Sequence, residues 1–299
     1  MYVLCSPCIL RPELRAEGIT KPSDLELFAR AAERCRKFGI DMVPLPCPES
    51  LYLGAGRKPG TYLERLDTPG FRELMGELEQ EVSDLVRARG PPLCIIGVNS
   101  SPTCGVTSTY YGAEEEKPAK REGRGVFLSR FPAIPAFDVA VFARYRVYLA
   151  APLFSEAERS FNASLARLLR RHLFEVHLPQ EIGDDSDARD TREQERLFGA
   201  NKTALENSDL IVAVIDGADA DSGTAWEMGY AYARKKVVIA LRTDFRRVGH
   251  HEQVNLMLEH SAIVVGNIEE VLAALHSPCL HNTPQYAGSV RPAGFFPEI

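Results

Sequence analysis

Short apolar runs of three to six residues alternate with longer segments of helical period through most of this chain, and that alternation restricts it to a parallel α/β architecture. In the second half, strands are expected at 147–150, 175–177, 210–215, 237–241 and 262–265. Helices are expected between and after them, at 156–172, 192–207, 224–234, 252–260 and 268–275. The first half opens the same way, with a strand at 2–4, an amphipathic helix over 23–38 ended by Gly39, and a strand at 40–45. A further helix over 71–89 stops at Pro91-Pro92 and leads into a strand at 93–98. Residues 112–125 are polar and unpatterned and read as an exposed loop that orders on binding.

At 299 residues the chain is long enough for two domains, each with its own core. The boundaries expected are 1–142, 146–275 and a tail at 276–299. A formal charge of -6 argues against a protein that holds long nucleic acid by its phosphates, so small molecules are the expected partners. The opening residues lack the basic start and apolar run of a secretory signal, and no apolar run is long enough to cross a bilayer. A cytoplasmic protein with no membrane partner is the expectation. Seven cysteines, an odd number scattered over a long chain, fit reduced thiols, some of them metal ligands, better than a disulfide framework.

The segment from Val212 to Ala231 carries the most chemistry. A buried strand runs into Asp216, Asp219 and Asp221, crowded on one turn, and then into a helix bearing Glu227. Carboxylates this dense repel one another, and structure alone seldom asks for them. The helix N-terminus is expected to keep Glu227 ionised and available as a nucleophile. A plainer reading stands beside this one: Ser222 and the aspartates cap the helix and form the turn.

Three motifs of the second half, Tyr148-Leu-Ala-Ala-Pro-Leu-Phe154, Asp221-Ser-Gly-Thr-Ala-Trp-Glu227-Met-Gly-Tyr-Ala and Asn255-Leu-Met, together resemble the nucleoside 2-deoxyribosyltransferase family. The resemblance covers roughly 146–275 and implies a flavodoxin-like, Rossmann-like parallel sheet flanked by helices. It implies that Glu227 attacks the anomeric carbon, that Asp221 handles the nucleobase and its proton, and that Asn255 helps position nucleophile and sugar. Tyr148, Ala150, Pro152, Phe154, Gln180, Asn201, Asp216, Ser222 and Gly223 are the expected substrate-binding residues. Tyr148, Phe154, Trp226 and Met228 are expected to pack the core or form the pocket wall. Asn201 stands where many members of that family carry an aspartate, which replaces an acidic contact to base or sugar with a neutral amide. A carboxylate nucleophile beneath the sugar and a proton donor near the base suit N-glycosidic cleavage through a covalent glycosyl-enzyme. The acceptor then decides the reaction, a second base giving transfer and water giving hydrolysis; a non-catalytic sensor of nucleotide-like ligands is the reading from another class. The expected partners are a nucleoside or nucleotide and a free nucleobase. The tail carries Tyr286, Phe295 and Phe296, which suggests docking on a neighbouring subunit in a homo-oligomer.

In the first half, Cys8-Ile-Leu with Arg15-Ala-Glu-Gly18, Cys47-Pro-Glu49, Ser101-Pro-Thr-Cys104-Gly and Gly123-Arg-Gly-Val-Phe127 resemble the DUF523 family, which includes 2-thiouracil desulfurases. The resemblance implies that Cys8, Cys47 and Cys104 hold a [4Fe-4S] cluster with one iron open to the sulfur of a thiolated base, and that Glu49 and Ser101 position substrate or handle protons. Cys5, in the Cys5-Ser-Pro-Cys8 spacing, is the alternative ligand to Cys8. Cys35 and Cys94 read as small buried hydrophobes. His250-His251 reads as solvated loop, and the other histidines have no partner legible in the sequence.

Overall fold

The computed structural model describes residues 1–114, 117–182, 191–246, 249 and 252–277. The chain divides into two compact units, Met1–Ala143 and Arg144–Ile299. Cys279, His250, His251 and the tail aromatics Tyr286, Phe295 and Phe296 lie outside the described residues.

In the first unit a four-stranded parallel sheet runs β2 (Asp41–Pro44), β1 (Tyr2–Cys5), β3 (Ile95–Gly97), β6 (Ala136–Asp138). The crossovers are α1 (Pro22–Lys37) between β1 and β2, and α2 (Pro48–Leu53), α3 (Tyr62–Arg65) and α4 (Pro69–Arg89) between β2 and β3. Leu4, Phe71, Met75, Leu78, Val82 and Ile95 join sheet and α4 in one core with Phe127 and Leu128. At about 1.5–3 kcal/mol for each large apolar side chain withdrawn from water, this packing is what holds α4 to the sheet.

Residues 112–125 are not the loop expected. The described part forms an antiparallel hairpin of β4 (Ser108–Glu114) and β5 (Lys117–Glu122). Its stabilising contacts lie between strands: Lys120 Nζ sits 5.1 Å above the Tyr110 ring, opposite it in register, and the Arg121 guanidinium lies 3.9 Å above Tyr111. Tyr111 also stacks on Tyr62 at 5.3 Å. Cation–aromatic pairs across a ladder leave no periodic apolar signal in the sequence, which is why the segment reads as a loop.

The second unit is a five-stranded parallel sheet with neighbours β11 (Ile263–Val265), β10 (Val237–Leu241), β9 (Leu210–Val214), β7 (Arg146–Ala150) and β8 (Glu175–His177). Read from β8, the order is 2-1-3-4-5, the flavodoxin-like doubly wound arrangement. Its helices are α6 (Glu156–Arg171), α7 (Thr191–Asn207), α8 (Ser222–Ala233), α9 (Leu256–Glu259) and α10 (Ile268–Leu275), and α5 (Val139–Phe142) closes the first unit. Every residue of β9 is buried, as the unbroken run Leu-Ile-Val-Ala-Val requires of a strand covered on both faces. Tyr148, Ile211, Ala213, Met228 and Val238 form the core beneath α8. The chain reverses direction across the sheet between β7 and β9, so a crevice opens at their carboxyl ends.

The first strand of this sheet is set by one carboxylate. Asp209 Oδ2 accepts the backbone N–H groups of Tyr145 and Arg146, each at 3.0 Å, and so fixes β7 against the start of β9. Asp209→Ala leaves two backbone donors without that acceptor and should lower the unfolding free energy by about 1–3 kcal/mol in urea titration, whereas Asp209→Asn should retain part of it.

Candidate active site in the second unit and thiol site in the first

Tyr148 and Glu227 meet at the crevice. Tyr148 lies in the middle of β7, fully buried, and its hydroxyl donates to Glu227 Oε1. Glu227 is on the second turn of α8, past the reach of the helix dipole, which fades within the first turn. The expectation that the helix end keeps it ionised is therefore corrected. Burial raises its carboxyl from an ordinary 4.5 to about 7, the Tyr148 hydroxyl pulls it down and the nearby Asp221 charge pushes it up. Burial beside Glu227 likewise raises the Tyr148 phenol.

A cavity of about 310 Å³ opens on this pair, walled by Phe198, Asn201, Lys202 and Leu205 from α7 and by Gly223 and Trp226 from α8. Trp226 stacks on Tyr230 at 5.1 Å and meets Phe198 at 5.8 Å, giving an aromatic wall although the indole is 47% exposed. Asp221 caps α8, its Oδ2 accepting from the Thr224 N–H at 3.0 Å. The capping reading of Asp221 thus holds, and among the described residues its Oδ1 has no partner.

The remaining expected residues divide. Tyr148, Glu227, Asn201 and Gly223 line one cavity, and Ser222 is exposed at the start of α8. Asp216 is taken up elsewhere. Its carboxylate accepts from the Thr243 N–H and hydroxyl, each at 2.6 Å, and from the Asp244 N–H at 2.8 Å, tying the loops after β9 and β10 together. Gln180 ties its turn to α6, donating to the Arg159 carbonyl at 2.9 Å and accepting from the Asn162 side-chain amide at 3.3 Å. Pro152 contributes its carbonyl to the same Asn162 at 2.8 Å, and Ala150 is buried in β7. Phe154, expected in core or pocket wall, is 79% exposed, because its loop turns outward before the Ser155 cap of α6. Asn255 is exposed and caps α9, accepting from the Met257 N–H at 3.0 Å. His177 was missed. It stacks on Tyr148 at 5.1 Å and holds Asn201, a contact no local pattern announces. Phe198 and Lys202 were missed too, although they lie on the helical face that Asn201 marks.

The first unit carries a second cavity, of about 800 Å³, on which Cys8, Cys47 and Cys104 open. The loops after β1, β2 and β3 supply one thiol each, so residues far apart in sequence converge at the carboxyl edge of the sheet. Burial lifts the Cys8 thiol to about 12, with the neighbouring Cys47 adding to the rise and Arg15 opposing it. Cys104 is pushed up in the same way, by burial first and then by Cys47. Cys5 belongs elsewhere: it is wholly buried, and the thiol it interacts with is Cys35. Cys35 and Cys94 lie in the core.

The loop from Asn99 to Cys104 is held from several sides. The Asn99 N–H donates to Asp138 at 2.7 Å, and Asn99 Oδ1 accepts from the N–H groups of Val106 and Thr107. Glu49 Oε1 accepts from the Ser101 hydroxyl at 3.0 Å and the Thr103 hydroxyl at 2.8 Å, while Arg57 pairs with Oε2 at 3.2 Å. A Cβ at Gly97 would come within 2.5 Å of the Cys104 carbonyl, and one at Gly125 within 2.5 Å of the Thr103 carbonyl. These glycines let the backbone approach, which explains two of the glycines near this site. Among the described residues, no three His, Cys, Asp or Glu side chains close around a single metal ion. A four-iron cluster is larger than one ion and sets its thiolate ligands wider apart. Three thiols on one cavity are the donor type that such a cluster takes, and binding would have to displace the protons that burial holds on Cys8 and Cys104.

Residues 147–265 match the family model for nucleoside 2-deoxyribosyltransferase. An uncharacterised protein of Ureaplasma parvum is 30% identical over 125 residues, 37% of this chain and 78% of the relative. A conserved protein of known structure from Enterococcus faecalis is 31% identical, with coverage of 44% of this chain and 96% of that one and a TM-score of 0.38. The 2-deoxyribosyltransferase of Bacillus psychrosaccharolyticus is 24% identical over 42% of this chain and 89% of its own, with a TM-score of 0.37.

The buried Glu227 carboxyl should titrate near pH 7 when followed by the infrared carboxyl band that Glu227→Gln removes. Tyr148→Phe deletes the hydrogen bond that favours the ionised form, and the same band should then titrate at higher pH. The motif, the cavity and the family match all fall on the same stretch, and residues 147–265 of the second unit form a nucleoside 2-deoxyribosyltransferase-type domain.

Proposed function

We propose that the second unit cleaves the N-glycosidic bond of a nucleoside or nucleotide, with Glu227 as nucleophile. The observation that carries this is the half-buried Glu227 carboxyl, held by Tyr148 at the floor of a cavity with an aromatic wall. A planar base is accommodated by Trp226 and Phe198, which leaves the sugar toward Glu227. Glu227 Oε attacks C1′, the new C–O bond forming as the C–N bond breaks and its electron pair passes to the base nitrogen. Asp221, through its unengaged Oδ1, delivers or accepts the proton of the base. A second base then attacks C1′ and releases the carboxylate, giving exchange with retained configuration; water in its place gives the free sugar. Because the nucleophile is the ionised form, the rate should rise as pH passes through about 7.

The test is incubation with a 2′-deoxynucleoside and a different free base, followed by chromatography. Exchanged nucleoside is the expected product, and Glu227→Ala should reduce its formation by about 10³-fold or more. Turnover by Glu227→Ala at the rate of the unaltered protein would overturn the assignment.

The convergence of three thiols on one cavity supports a second reading, for the first unit. Cys8, Cys47 and Cys104 would hold a [4Fe-4S] cluster. When bound, such a cluster with three protein ligands would supply an open iron that accepts sulfide as water replaces the sulfur of a thiolated base by oxygen. Glu49, fixed by Arg57, Ser101 and Thr103, orients that base beside the thiols. Anaerobic reconstitution with iron and sulfide should give a broad absorption near 400 nm, which any one of Cys8→Ser, Cys47→Ser or Cys104→Ser should abolish and Cys5→Ser should leave intact. Together the two units would serve the salvage of modified nucleosides in a homo-oligomeric cytoplasmic enzyme. Among the described residues no helix is long and apolar enough to cross a membrane.

A further inference from the structure

One buried hydroxyl beside the thiols of the first unit has no task in the chemistry above. Ser6 follows β1 directly; it is wholly buried and borders the cavity on which Cys8, Cys47 and Cys104 open. The backbone sets it close to Cys104. Its N–H donates to the Ile96 carbonyl at 2.8 Å, and the Val98 N–H donates to the Cys104 carbonyl at 3.0 Å, so both residues are held against the end of β3. Ser6 also stands at the N-cap of the short turn Pro7–Ile9, where a serine hydroxyl ordinarily takes a backbone N–H, yet its side chain makes no such bond. Among the described residues Oγ has no hydrogen-bond partner at all. Burial is the main influence on the Cys104 thiol and pushes it up, and the Ser6 hydroxyl is one of the groups that oppose the rise.

A hydroxyl carried into the interior without a partner loses its hydration and gains nothing in return, so its presence there calls for an acceptor. A protonated thiol accepts only weakly, whereas a metal-bound thiolate is charged and accepts strongly. Thr103 Oγ1 also lies 3.5 Å from the Cys104 sulfur, but its one proton goes to Glu49 Oε1 at 2.8 Å. Ser6 is the neighbour whose proton is uncommitted. Cys47 already has such a neighbour, since Ser50 Oγ lies 3.1 Å from its sulfur. We infer that Ser6 is a donor built for the Cys104 sulfur in the cluster-bound protein, where its hydrogen bond raises the potential at which the cluster takes up an electron. The inference rests on the reading of Cys8, Cys47 and Cys104 as cluster ligands and adds to it a residue that tunes the site. Hydrogen bonds to ligand sulfurs draw electron density from the iron and favour the reduced state.

The experiment uses the full chain, reconstituted anaerobically with iron and sulfide, and follows the midpoint potential of the cluster by its visible absorption in a redox titration. Ser6→Ala should form the same cluster with a lower midpoint: at a fixed potential the reduced-to-oxidised ratio should fall about tenfold, which for one electron is 59 mV. Ser6→Thr keeps the hydroxyl and should stay with the unaltered protein. An exchangeable proton bonded to sulfur also moves the iron–sulfur stretching bands of the unaltered protein when water is replaced by D2O, and Ser6→Ala should lose part of that shift. In the iron-free protein the hydroxyl has no partner to lose, so Ser6→Ala should unfold at no lower a urea concentration than the unaltered protein. An unchanged midpoint in Ser6→Ala overturns the inference and leaves the cluster reading standing, as does a D2O shift equal in both proteins. The absence of any D2O shift in the unaltered protein overturns it without recourse to a variant. Earlier unfolding of iron-free Ser6→Ala would mark a purely structural hydroxyl and likewise overturn it. If the unaltered protein takes up no cluster, the reading of the three thiols falls and the inference falls with it.

Discussion

A carboxyl group carried into an apolar interior is the constraint around which the second unit is arranged. Glu227 gives up part of its hydration, and burial favours its protonated form. The Tyr148 hydroxyl offsets this by donating to Oε1, but it can do so only because β7 places a tyrosine under α8 in a fully buried position. That position depends on the register of β7 against β9, which Asp209 sets at its start. One hydrogen bond at the crevice thus draws on the order of the whole sheet. The balance leaves the Glu227 carboxyl raised to about 7.

Much of this was legible in the sequence. Buried strands announced themselves as unbroken apolar runs, β9 most clearly, and α6 and α4 by helical period. Glu227 and Asp221 stand out in the crowded acidic turn and through the motif that resembles a known family, while Tyr148 reads from the residues alone as core or pocket wall. What stayed hidden depends on contacts between distant residues. His177 gains a role only from lying beside Tyr148 across two strands. The hairpin of β4 and β5 is held by Lys120 and Arg121 over tyrosines, a pattern that composition reads as solvent-exposed loop. Asp216 looked like a site residue because acidic residues crowd its turn, yet its oxygens serve Thr243 and Asp244. The charge state of Glu227 stays hidden for a related reason: the sequence marks the helix start, while the depth of burial emerges only from packing.

The first unit follows the same design logic with different chemistry. Three loops at the carboxyl edge of a parallel sheet each bring one thiol to a shared cavity, and a parallel sheet is well suited to this because all its strands end at one edge. The sequence distinguishes Cys8 from Cys5 only by motif; in the folded unit Cys5 faces Cys35 in the interior and Cys8 faces the cavity.

The closeness of Gly97 and Gly125 to the backbone of Thr103 and Cys104 has a wider consequence. The location of the Cys104 sulfur is decided by two missing methyl groups, in residues that carry no reactive atom. Substitutions there would leave every thiol and carboxylate in place and still displace one of them. Comparison of chemical residues alone would class such a protein as intact, so the hydrogen atoms on those two α-carbons belong to the site as fully as the sulfur does.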